Sequence, residues 1–187
     1  MKPTAFYEFF IELLRDIFSA EAQIVEALPR AINNAKNADL KQALSKHLQE
    51  TKGQVERLKT IFKTLNENPA GKFCDGMKGI LSEVEEVLQK NYAGNVQDVA
   101  LIVACQKVEH YEISNYGSAR ALARHLSDSN TSDRIDFDEI ADLLQDSLDE
   151  ESAADEKLTD IAEGGFFTVG LNDKAEQESS NIKNLSP

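Results

Sequence analysis

Acidic residues recur in this 187-residue chain at positions where a buried hydrocarbon would be expected. At 100° per residue, Glu21 falls at the centre of a stripe formed by Leu14, Ile17, Val25 and Leu28. Glu109 lies between Ile102, Gln106 and Ile113, while Glu151 and Asp155 continue the line of Leu144, Leu148, Leu158 and Ala162. A fourth stripe, through Leu40, Leu44, Val55 and Leu58, carries His47 and Gln54, with Glu50 at its edge and facing sideways. A carboxylate taken out of water is costly unless it is paired or bound to a metal. No Lys or Arg shares these inward positions, apart from Arg120 farther along, so divalent cations are the expected counter-ions. Oxygen donors with one imidazole suit iron or manganese better than the soft-ligand metals. The pairs His47/Glu50 and Glu109/Glu112 are spaced i,i+3, so one helix can offer two donors.

The candidate ligand set is therefore Glu21, His47, Glu50, Glu109, Glu112, Glu151 and Asp155, holding two iron or two manganese ions. The competing reading of any single acid is a surface residue on a helix of slightly different phase. Coincidence on four helices argues against that reading for the whole set. His110 flanks its stripe and is a ligand, a hydrogen-bond donor to a ligand, or a packed polar residue. Tyr111 and Tyr116 fit either radical chemistry or ordinary seam packing.

The elements that position these residues are helical nearly throughout. Proline occurs only at positions 3, 29, 69 and 187, and no segment alternates apolar with polar residues as a half-buried strand does. Helices are expected over 4–35, with Pro29 as a kink, and over 38–66, 96–127 and 136–163. A shorter amphipathic segment within 72–90 reads as a connection. Two long hairpins joined by one long connection make an all-α, ferritin-like four-helix bundle. It is expected to occupy residues 1–163, with 164–187 a flexible tail whose deletion from 166 onward should be neutral. Within that tail, Phe166, Phe167, Val169 and Leu171 are the residues able to dock.

Lys plus Arg number 20 against 33 Asp plus Glu, a net charge of −13 that disfavours nucleic acid as a partner. The apolar runs fall short of a membrane span, and the start Met1-Lys2-Pro3-Thr4 lacks the pattern of a signal peptide, so a cytoplasmic protein without a membrane partner is expected. Cys74 and Cys105 read as free buried thiols. A separate stretch, Asp128 to Glu139, places oxygen side chains at loop positions 1, 3, 5, 9 and 12 of an EF-hand, with Asp133 where a Gly allows the turn. Calcium there competes with a simpler role, capping of the next helix by Asp133 or Asp136.

The stretches Leu14-Arg15-Asp16-Ile17-Phe18-Ser19-Ala20-Glu21, His47-Leu48-Gln49-Glu50-Thr51, Gly53 to Leu58 and Gln106 to Ile113 resemble the YciE/YciF family of bacterial ferritin-like proteins. Asp149-Glu150-Glu151 and Asp155 to Thr159 complete the match, which runs over about residues 6–163. The resemblance implies a di-metal bundle, linked with stress responses and often a homodimer. The wider di-iron pattern pairs a lone Glu on two helices with Glu-x-x-His on the other two. Here the order is His47-x-x-Glu50 and Glu109-x-x-Glu112, with no histidine among the acids of the last long helix. Three functions follow as alternatives. One is a metal protein handling dioxygen, peroxide or Fe(II) through ions bridged by Glu50, Glu109 and Glu151. The second is a non-enzymatic stress or scaffold bundle acting through its acidic surface. A hollow storage cage is the third and least supported.

Overall fold

The computed structural model describes residues 4–129, 135–165 and 168–184. Four long helices, α1 (Ala5–Asn34), α2 (Ala38–Leu65), α4 (Val96–Ser129) and α5 (Phe137–Glu163), form the bundle, and α3 (Asp75–Lys90) lies in the connection between its hairpins. The expected all-α bundle is thus observed. Helix starts follow from side-chain acceptors that satisfy free N–H groups. Thr4 accepts from Tyr7 N at 3.2 Å, Asn37 from Leu40 N at 3.0 Å and Asp136 from Glu139 N at 2.9 Å. Asn66 and Asn91 close α2 and α3 in the left-handed conformation, with φ of 53° and 45°. Pro29 lies within α1 on its exposed side, and the helix continues through it to Asn34.

The apolar core is split into two parts. One contains Ile24, Leu28, Leu40, Leu44, Leu101, Cys105 and Leu158. The other contains Phe10, Leu14, Ile17, Leu58, Phe62, Tyr116, Ile140 and Leu144. On every long helix the break falls at the polar residues singled out above. Glu21 lies between Ile17 and Ile24, and His47, Thr51 and Gln54 lie between Leu44 and Leu58. Glu109 and Glu112 precede Tyr116, while Ser147 and Glu151 separate Leu144 from Leu158.

Helix α4 departs from a one-stripe pattern: Leu101, Ile102, Cys105 and Val108 are all buried, whereas Val103 is 54% exposed. Helix α4 packs against α5, α3, α1 and α6, so its apolar residues cover more than one side and no single stripe describes them. Asp98, in its first turn, is fully buried and accepts from the backbone N–H groups of Lys36 at 2.9 Å and Asn37 at 2.7 Å. This carboxylate ties the α1–α2 turn to the start of α4.

The expected tail is also corrected. Gly164–Gly165 and Thr168–Val169 pair as a short antiparallel ribbon, and a sixth helix, α6 (Leu171–Asn184), packs on α4 and α5. Leu171 and Ala175 are buried, two positions that are too few to register as a periodic stripe in so polar a segment. Glu178 accepts from the backbone N–H and side-chain amide of Asn95, both at 2.8 Å. Gly94 turns with φ of +60° beneath it, where a Cβ would strike the Glu178 carboxylate. The EF-hand reading rests on residues 130–134, which lie outside the described residues. The capping role of Asp136 is observed, and Asp138 accepts from Ser127 Oγ at 2.8 Å.

Removing residues 171–187 uncovers the surface under Leu171 and Ala175 and frees Asn95. We expect the truncated chain to lose about 2–4 kcal/mol of stability by denaturant titration while remaining helical. A midpoint equal to that of the full chain would show that α6 contributes nothing.

Candidate metal centre

His47, Glu109, Glu112 and Glu151 converge between the two apolar regions. Each offers a ligand atom, and these atoms lie within 4.8 Å of one another. His47 Nε2 is 3.3 Å from Glu109 Oε2 and 4.0 Å from Glu151 Oε2. The i,i+3 spacing sets Glu109 and Glu112 on one face of α4, and α2 and α5 supply the other walls. Glu21 of α1 is also fully buried beside this group.

Burial pushes the Glu21, Glu109 and Glu112 carboxyls well above the ordinary value of 4.5, and the nearby Glu151 carboxylate adds to the rise in each. Ordinary protein partners do not meet the donor capacity of the cluster. Among the described residues, Glu21 Oε2, Glu109 Oε2, Glu151 Oε2, both Glu112 oxygens and both His47 ring nitrogens have no hydrogen-bond partner. Buried polar atoms are otherwise rarely left so. Asp98 provides the contrast, as an equally buried carboxylate with two backbone donors. A buried donor set of carboxylate oxygens and one imidazole, without protein hydrogen-bond partners, fits a hard or borderline divalent cation.

Two of the seven candidates stand at the margin. Glu50 pairs with Lys46 one turn away and is partly exposed. Asp155 accepts from Gln106 Nε2 at 3.2 Å and lies 3.3 Å from His110 Nε2. His110 itself is 68% exposed, which places it outside the cluster. Tyr111 is away from the centre as well. Its hydroxyl donates to Asp16 at 3.0 Å and lies 3.0 Å from the Cys74 thiol.

The structure gives Tyr116 and Gln54 specific partners and adds Arg57, which the sequence pattern did not single out. Tyr116 donates its buried hydroxyl to Glu21 Oε1, leaving the other oxygen of that carboxylate without a partner. Gln54 donates to Glu151 and, at 3.1 Å, to Glu150. Arg57 holds Glu150 through both oxygens at 2.9 and 3.0 Å and donates to Ser147 at 2.7 Å. Arg57 is therefore the nearby cation, its field lowering the Glu21 pKa against the larger effect of burial. Arg120, the base expected inward, keeps its Nε buried and donates to Gln145 at 2.7 Å. The i+3 step from Gln54 to Arg57, facing Glu150 and Glu151, was the available signal.

A profile described as Domain of unknown function (DUF892) matches residues 5–168. The chain belongs to that family. Protein YciF of Escherichia coli (strain K12) is 38% identical over 171 residues, spanning 91% of this chain and 95% of its own. The crystal structure of the E. coli stress protein YciF superposes with a TM-score of 0.76 at 39% identity, covering 86% of this chain and 94% of that one. YcfI, a candidate structural protein from Rhodopseudomonas palustris, superposes at 0.78 with 38% identity, covering 86% and 97%. All the clustered residues fall within the DUF892 match, whereas α6 lies beyond it.

The raised carboxyls determine how stability varies with pH. Above 4.5 the unfolded chain has released protons that the folded protein retains, so folding is favoured at low pH and loses ground as pH rises through the folded values. In chelator, the melting temperature should fall from pH 5 to pH 8. Glu112→Gln should flatten that slope and melt above the parent at pH 8. A parent midpoint that rises with pH would show the three groups to be ionised and compensated.

Proposed function

We propose that this chain is a stress-related protein that binds two iron or manganese ions at a carboxylate-bridged centre and handles dioxygen, peroxide or Fe(II) there. The observation that carries this reading is the convergence of His47, Glu109, Glu112 and Glu151, with Glu21 alongside, their buried donor atoms lacking protein partners. Ions held there would supply Lewis acidity and, for iron, one-electron redox chemistry toward an oxygen substrate. Glu109 and Glu151, both close to His47, are the carboxylates best placed to bridge. Glu50 would complete the set by leaving Lys46. Tyr116 and Gln54 orient Glu21 and Glu151, and the apolar regions on either side exclude bulk water.

The same reading takes the protein to be cytoplasmic and to act as a homodimer, with no nucleic-acid or membrane partner. A net charge of −13 supports the exclusion of polyanions, and no described helix is long and apolar enough to cross a membrane. The name of the Rhodopseudomonas relative supports a second reading, a bundle with a purely structural role. Metal content separates the two.

Protein purified without chelator should carry about two equivalents of iron or manganese by elemental analysis. Glu109→Gln should lose most of it, while Glu56→Gln, on the exposed side of α2, should keep it. Metal at about one hundred times its dissociation constant should add roughly 2.7 kcal/mol to the stability of the parent chain. No metal after reconstitution, with identical melting in chelator, would favour the structural reading.

A further inference from the structure

Between α2 and α5 lies a cavity of about 40 Å³ whose walls include Ala43, Lys46, His47, Glu109, Ala154 and Lys157. A single water needs roughly 10–15 Å³ measured this way, so the space suits two or three atoms of that size and excludes an organic substrate. Its inner wall is formed by two residues of the cluster, each at least nine-tenths buried, with His47 Nδ1 and Nε2 and Glu109 Oε2 lacking hydrogen-bond partners. Its outer wall carries two lysines. Glu50, which also lines the cavity, pairs with Lys46 there, and among the described residues Lys157 has no carboxylate within ion-pair distance. Among the small side chains that also line it are Ala43 and Ala154.

We propose that this cavity is the entry and binding subsite for a small anion of two or three heavy atoms, which reaches the centre between α2 and α5. This rests on the metal-binding reading above and adds the ligand class and its route. The unpaired charge of Lys157 at the mouth draws an anion toward a protein that is otherwise strongly acidic. Ala43 and Ala154 set the size limit, because a longer side chain at either position would occupy the volume the ligand needs. A second cavity of about 20 Å³ touches His47 and Glu109 from the side of α3, but its other walls, among them Ile24, Leu28, Leu81 and Cys105, carry no positive charge to recruit an anion.

Azide is a suitable three-atom probe, followed by its visible charge-transfer absorption with the iron-loaded, air-oxidised protein. Metal content is measured separately by elemental analysis. The parent chain should bind azide. Ala154→Leu should retain its iron but weaken azide binding about tenfold or more, equivalent to at least ~1.4 kcal/mol. If that variant fails to fold, Ala43→Leu on the facing helix makes the same test. Lys157→Glu should also weaken binding, by a factor that shrinks as salt is added. Azide affinity equal to that of the parent in an iron-loaded leucine variant overturns the subsite. A loaded parent chain that does not bind azide overturns it too and leaves the metal reading intact, whereas a parent chain that takes up no metal overturns both.

Discussion

The structure depends on a layer of mutually repelling carboxyl groups buried across the middle of the bundle. Glu21, Glu109, Glu112 and Glu151 are each at most 2% exposed, and one imidazole accompanies them. Such a layer cannot be held by the hydrophobic effect, which opposes it. It is held in place because each acid lies between apolar neighbours on its own helix, and these lock into two separate cores above and below. The cores provide the favourable energy, and the polar layer lies between them.

Helix packing at the two ends and donor placement at the centre are consequently coupled. Glu151 is oriented by Gln54, whose helix also carries Arg57, and Arg57 fixes the adjacent Glu150 and Ser147. Glu21 is oriented by Tyr116, a residue that also belongs to one of the apolar cores. A change in packing near Tyr116 would therefore reach the centre through one hydroxyl. Asp98 shows how the same chain stabilises a buried carboxylate when no chemistry is required of it, with two backbone N–H groups from the α1–α2 turn.

The periphery divides by charge. His110 and Asp155 face one side of α5, and Lys157 stands at the mouth of the small cavity facing α2. Helix α6, beyond the part of the chain matched by the family profile, is anchored through Leu171, Ala175 and the contact between Glu178 and Asn95. It touches α4 and α5 at the end of the bundle that contains Ala162.

The bundle and the depth of its acids were legible in the sequence because both depend on helical periodicity. Positions such as Leu14, Ile17, Glu21 and Ile24 repeat with the pitch of the helix, so the inward face of α1, and the phase of Glu109 and Glu151, could be read one helix at a time. The partner of each side chain could not. Glu50 and Glu112 look alike as glutamates at i,i+3 from a core residue, yet Glu50 turns to Lys46 and Glu112 is enclosed, because α2 packs mainly on α1 and α5 while α4 is covered by α1, α3, α5 and α6. Tyr116, Arg57 and Gln54 acquire their roles from residues roughly 90 to 97 positions away in the chain. Leu171 docks as one of the residues expected to be able to, but the helix it begins was not evident, since among the described residues its hold on the bundle rests on Leu171, Ala175 and the Glu178 carboxylate, too few positions to leave a period. Sequence periodicity determined the depth of the acids along each long helix; the approach of one helix to another decided which of them meet.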